Sequence, residues 1–122
     1  MSELTRYIEA WVANDVDKIA ESVAESCIIT ECYGPVYRGR ARVREWAMAW
    51  FAAGGIVHAW KVTDHFRTDG RESAQWIFEC TSGGRRSSFE GCTISSSADG
   101  LIASLREYQS TAELYEWTGA WR

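Results

Sequence analysis

The side chains able to move protons or hold metals are few. The 122-residue sequence has two histidines and four cysteines, and its 17 carboxylates outnumber 13 lysines and arginines. Glu31 stands in the run Cys27-Ile28-Ile29-Thr30-Glu31-Cys32-Tyr33, among β-formers and a ring. A carboxylate turned toward apolar rings is hard to ionise, so its pKa rises toward the range useful for proton abstraction near neutral pH. At a strand end in water the same residue is an ordinary surface charge. His58 titrates near neutrality wherever it faces a pocket, although a lone imidazole serves packing equally well. No Ser-His-Asp or Cys-His set is visible. There is no CxxC and no Cys/His metal spacing, and Gly83-Gly84 before Arg85-Arg86 lacks a phosphate-loop pattern. Neither a metal nor a cofactor is expected.

The binding candidates are rings. Seven Trp, five Tyr and four Phe are many for this length. They can build a core or line a hollow, since ligand pockets are mostly apolar and aromatic. Only their positions separate the two.

Charge and hydropathy narrow the partners. A net charge of −4 argues against a nucleic-acid face. The run Arg38, Arg40, Arg42, Arg44 reads as the solvated start of a helix. No apolar stretch approaches the roughly 20 residues of a membrane span, and no basic-then-apolar leader is visible. The expectation is a cytoplasmic protein with reduced thiols and no membrane partner.

The elements that position these side chains follow from periodicity. Leu4, Ile8, Trp11 and Val12 recur at helical spacing, with Tyr7 beside them and Ser2 or Thr5 as cap. Asp15 caps a second short helix through Val16, Ile19, Ala20 and Val23. After the β-run and the break at Gly34-Pro35, a third helix spans about 41–53, with Val43, Trp46, Ala47, Trp50 and Phe51 on one face. Four strands follow, at about 56–67, 72–82, 85–96 and 101–111, separated by Asp69-Gly70, Gly83-Gly84 and Asp99-Gly100, which favour two-residue hairpin turns. The chain reads as one α+β domain, with its core at about 4–111 and an aromatic tail at 112–122.

Turn length predicts register. A two-residue loop at Gly83-Gly84 sets Phe78 opposite Phe89 and Trp76 opposite Gly91. Ala74, Trp76, Phe78, Phe89, Gly91 and Thr93 then share one face. The same loop at Asp99-Gly100 sets Tyr108 opposite Gly91 and Arg106 opposite Thr93. Trp76, Phe89 and Tyr108 thus gather around a glycine, where a strand permits close approach. At Asp69-Gly70 a two-residue loop would turn Lys61, Thr63 and His65 to the rings. A loop longer or shorter by one turns Trp60, Val62 and Phe66 there instead, with His58 and Asp64 inward and His65 outward. Burial favours the latter.

This layout resembles the SnoaL-like branch of the nuclear transport factor two-like superfamily. The resemblance rests on Tyr7-Ile8-Glu9-Ala10-Trp11, Asn14-Asp15-Val16-Asp17, Gly34-Pro35 to Arg38-Gly39, Phe89-Glu90-Gly91, Asp99-Gly100-Leu101-Ile102 and Leu105-Arg106-Glu107-Tyr108. It implies a cystatin-like cone-shaped α+β barrel, with three N-terminal helices packed over a strongly curved antiparallel sheet and a homodimer formed through that sheet. By the same resemblance Glu31 sits where ketosteroid isomerases keep their general base, and Tyr7 where they keep an oxyanion-stabilising tyrosine. Their second oxyanion donor falls on Cys92 or Thr93, and the cyclases' late aspartate on about Ser110. None of these is an acid. Arg106 has no aspartate two residues away to complete a pair like that of the epoxide hydrolases.

Two functions remain open. One is a cofactor-free isomerase, cyclase or hydrolase acting on a small apolar substrate, with Glu31, His58 and Tyr7 as catalytic candidates. The other is a pocket that binds a small hydrophobic molecule, or packs a dimer, without catalysis. In either, Trp11, Tyr33, Trp50, Trp60, Trp76, Phe89 and Tyr108 are the expected ligand-facing rings. The apolar tail residues Leu114, Tyr115, Trp117 and Trp121 accompany, as alternatives, a lid, a dimer contact or burial within the monomer.

Overall fold

The computed structural model describes residues 1–122. Helices α1 (Glu3–Val12), α2 (Val16–Glu21) and α3 (Arg40–Ala52) accompany six strands: β1 (Val23–Thr30), β2 (Val36–Arg38), β3 (Ile56–Thr68), β4 (Arg71–Ser82), β5 (Arg85–Ala98) and β6 (Leu101–Gln109). The strands form one sheet in the order β2-β1-β6-β5-β4-β3. Every neighbouring pair is antiparallel except β1 and β6. The fold is the expected α+β cone. No helix is long and apolar enough to cross a membrane.

Local chemistry sets the helix ends. Ser2 accepts from the Thr5 N–H, and Asp15 accepts from the Lys18 N–H, so α1 and α2 each start on a side-chain cap, while α3 starts on Gly39 without one. Asn14 takes the left-handed conformation (φ 53°) and bonds both the N–H and the carbonyl of Val57, which pins the end of α1 to β3. At the other end of α1 the Leu4 N–H donates to the buried Glu72 carboxylate at 3.0 Å. The core lies between helices and sheet, where Leu4, Ile8, Ile19, Ile29, Val43, Ile102 and Leu105 are almost wholly buried.

All three hairpin turns are two-residue loops with positive φ at both positions, as a type I′ turn requires. Registers diverge beyond them. Between β4 and β5 the expected pairing holds along the whole ladder, with Phe78 opposite Phe89 and Trp76 opposite Gly91. Trp76 lies so close over Gly91 that a Cβ there would collide with its ring and with the Tyr108 carbonyl. Between β5 and β6 a bulge at Ala103 of β6, opposite Ser96-Ser97, shifts the pairing by one, so Tyr108 faces Cys92 and Glu107 faces Thr93. One residue of slip exchanges the two faces of a strand. Glu107 and Leu105 therefore turn inward, and Arg106 and Tyr108 turn outward.

The β3–β4 hairpin resolves its two candidate registers by using both. Near the turn the two-residue loop sets His65 opposite Ala74, on the inner face. A bulge between Val62 and Asp64 then sets Val62 opposite Trp76 and Trp60 opposite Phe78, and a second falls between Val57 and Ala59. Trp60 is inward as expected. Phe66, Asp64 and His58 are not: Phe66 is exposed, and His58 sits at the second bulge in solvent.

Candidate active site

A cavity of about 160 Å³ opens between the helices and the inner face of the sheet. Tyr7 and Trp11 of α1 and Trp46 and Trp50 of α3 wall it on the helix side. Trp60, Phe78 and Phe89 wall it from β3, β4 and β5, and Tyr33 comes from the turn after β1. The rings hold one another. Tyr37 stacks on Trp46 with centroids 4.1 Å apart, and Trp60 meets Phe78 edge to face at 5.2 Å. Such pairs fix ring orientation beyond what burial alone would do.

Two carboxylates share this wall, Glu31 just past β1 and Glu107 on β6. Glu31 accepts a hydrogen bond from the Tyr37 hydroxyl at 2.6 Å. Burial raises its pKa, and that hydrogen bond pulls it partly back. Glu107 makes no hydrogen bond or ion pair with the protein. Burial, and then the negative charge of Glu31, push it up to about 8. Two like charges in one hollow cannot both ionise cheaply, so Glu107 keeps its proton through neutral pH.

Hydrogen-bond donors at the same wall lack partners. The Tyr7 hydroxyl and the indole N–H groups of Trp11 and Trp60 are buried; Trp11 lies close enough to Tyr7 to lower its pKa, but none makes a well-aligned hydrogen bond to another protein group. Desolvation, followed by the charge of Glu107, holds the Tyr7 phenol well above its ordinary pKa, so it stays a donor. Each unpaired buried donor costs on the order of 1–3 kcal/mol, and three clustered at one cavity call for a reason.

Of the residues singled out in the sequence, Glu31, Tyr7, Trp11, Tyr33, Trp50, Trp60 and Phe89 lie on the cavity. Three do not. His58 is exposed and bonds Thr81 at 2.7 Å, because the bulge beside it re-aims the side chain. Tyr108 is exposed on the outer face with the Arg106 guanidinium over its ring. Trp76 is a core ring behind the cavity, its indole N–H given to Thr93 at 2.8 Å. His65 stays exposed as expected, yet its Nε2 lies 2.8 Å from the buried Glu72 carboxylate.

Glu107, Tyr37 and Trp46 were not read as site residues. Glu107 was discoverable. Leu105 is the only large aliphatic residue in the second half of β6, and alternation from a buried Leu105 brings Glu107 to the same face.

The chain matches the SnoaL-like domain over residues 4–105. It belongs to the SnoaL-like family. Solved structures agree in fold: an epoxide hydrolase of M. tuberculosis resembling limonene epoxide hydrolases superposes with a TM-score of 0.79 at 15% identity, covering 88% of this chain and 80% of that one. A protein of ketosteroid isomerase-like fold from Catenulispora acidiphila, solved with trimethylamine, gives 0.77 at 16% identity, with 89% and 85% covered. A proposed polyketide cyclase from Xanthomonas campestris gives 0.72 at 18%, with 87% and 86% covered. At such identities the likeness is one of fold. No curated protein matches the sequence. Within this SnoaL-like chain the chemistry must be argued from the cavity itself.

Proposed function

We propose that the protein is a cofactor-free acid/base enzyme, of the isomerase, cyclase or hydrolase kind, acting on a small apolar substrate that carries an oxygen function. One observation carries this reading: Glu107 faces a ring-lined cavity with no partner of its own, where burial and then the neighbouring Glu31 carboxylate raise its pKa to about 8. A proton donor is most effective when its pKa lies near the working pH. In this reading Glu107 is the protonated member of the pair and gives its proton to the substrate oxygen. Glu31 is the ionised member, steadied by Tyr37, and takes a proton from carbon or from an attacking water. Tyr7 donates to charge developing on the oxygen.

The test uses small ketones and epoxides such as cyclohexanone and cyclohexene oxide. Deuterium exchange or ring opening is followed by NMR. Saturable acceleration is expected, reduced about 100-fold or more in Glu107→Gln and in Glu31→Gln. The rate should fall as pH rises through about 8, where Glu107 loses its proton. Acceleration that survives in Glu107→Gln, or none with any substrate, overturns the proposal.

A second reading, binding without turnover, is favoured by the Tyr37 hydrogen bond that occupies one oxygen of Glu31. It expects ligand affinity without any catalysed exchange.

A further inference from the structure

The charges around the cavity are unbalanced. No Lys, Arg or His lines it, while two carboxylates do. Every ion pair of the protein lies elsewhere, Arg67–Glu3 and Arg86–Glu79 among them, and neither Glu31 nor Glu107 takes part in one. Buried carboxylates are ordinarily paired or neutralised. The rest of the wall is mostly ring, contributed from α1, α3, β3, β4, β5 and the turn after β1. Aromatic faces carry negative potential and attract cations, above all alkylated ammonium ions too weakly hydrated to prefer water.

We propose that the ligand of this cavity carries a small alkylated ammonium group, seated on the rings with its charge toward Glu31 and Glu107. The size agrees: a closed space of about 150 Å³ accepts a benzene-sized molecule, and tetramethylammonium is of similar bulk. The inference rests on the reading of this cavity as the substrate site, and it names the substrate class: an amine-bearing small molecule. The ammonium supplies the counter-charge that the two carboxylates lack, and it eases the ionisation of Glu107. Binding therefore releases part of a proton below about pH 8, and affinity rises with pH toward that value.

The groups facing Glu107 limit other sources of that pH dependence. They are Tyr7 of α1, Glu31, Cys32 and Tyr33 at the end of β1, Tyr37 of β2 and Cys80 of β4; α3, β3 and β5 present only uncharged side chains to the cavity. Burial pushes Tyr7, Cys32, Tyr33 and Tyr37 upward, so they stay neutral through pH 8. Cys80 is controlled by Cys80→Ser.

The experiment titrates the whole protein by tryptophan fluorescence and calorimetry with tetramethylammonium chloride. It then compares choline with its uncharged isostere 3,3-dimethylbutan-1-ol, against a background of sodium chloride. Saturable tetramethylammonium binding is expected, with choline favoured over the isostere by about tenfold or more. Affinity should rise several-fold from pH 6 to pH 8, also in Cys80→Ser, and fall about tenfold in Glu107→Gln. Equal binding of choline and the isostere, pH-independent affinity, or no binding overturns the inference; the wild-type comparisons stand even if Glu107→Gln does not fold. The two proposals fail separately. Turnover of neutral ketones without ammonium binding removes the amine and keeps the enzyme, whereas ammonium binding without turnover does the reverse.

Discussion

Glu107 sets a thermodynamic signature that can be read without a substrate. Its pKa is about 8 in the fold against an ordinary 4.5. For an acid raised by folding, the unfolded chain ionises first as pH rises. The folded state is then progressively disfavoured between about pH 4.5 and 8, and the loss is complete above 8. Glu107→Gln removes that slope. Urea midpoints should show the variant close to wild type at pH 5 and more stable at pH 8.5, by on the order of 3 kcal/mol. A difference that does not change with pH would mean the carboxyl is not buried as described. The same residue marks the limit of what could be read beforehand. Glu31, Tyr7 and most of the rings were placed from pattern and resemblance, whereas Glu107 depended on a bulge at Ala103 of β6, legible only indirectly, from the need to bury both Ile102 and Leu105.

At the scale of elements, turns were legible and bulges were not. Asp69-Gly70, Gly83-Gly84 and Asp99-Gly100 advertise their backbone conformation through residue type. Bulges inside β3 and β6 carry no such mark, and they alone moved His58 out and Tyr108 to the far face. Helix α1, which carries Tyr7 and Trp11, is held at its start by Glu72, whose side chain is 1% exposed. Burial would raise the pKa of Glu72, but hydrogen bonds from Ser2, the Leu4 N–H and His65 outweigh it and leave the pKa lowered. An acid lowered by folding contributes its stability above the ordinary carboxylate pKa and loses it as pH falls through the folded value. Glu72→Gln should therefore cost about 2–4 kcal/mol at neutral pH and less near pH 3. Denaturant titrations at the two pH values check this, and an equal cost at both would show that shape rather than charge holds α1.

For the whole molecule the open question is what covers its remaining apolar surface. On the outer face of the sheet Ile28, Phe66, Ile94 and Tyr108 are exposed. After β6 the tail adds Leu114, Trp117 at 55% exposure and Trp121 at 79%, with the two indoles paired at 5.3 Å. Burial within the monomer is thus not where these rings go, and none of them lines the cavity, so they do not lid it. Exposed apolar surface of this extent marks an interaction surface. The superfamily resemblance implies a dimer through the sheet. A second copy of this chain is accordingly the expected partner, each tail lying on the other's sheet. Deleting residues 112–122 removes only segments outside the helices and strands, so the monomer should keep its circular dichroism and its cavity. Burying a Trp or Leu side chain is worth roughly 1.5–3 kcal/mol, so losing several should raise the dimer dissociation constant by 100-fold or more. Sedimentation equilibrium of the full and shortened chains measures it, with Ile94→Glu as an independent break on the sheet side. Equal dissociation constants for both chains would leave the tail without this role, and a monomeric full-length protein at high micromolar concentration would remove the sheet interface altogether.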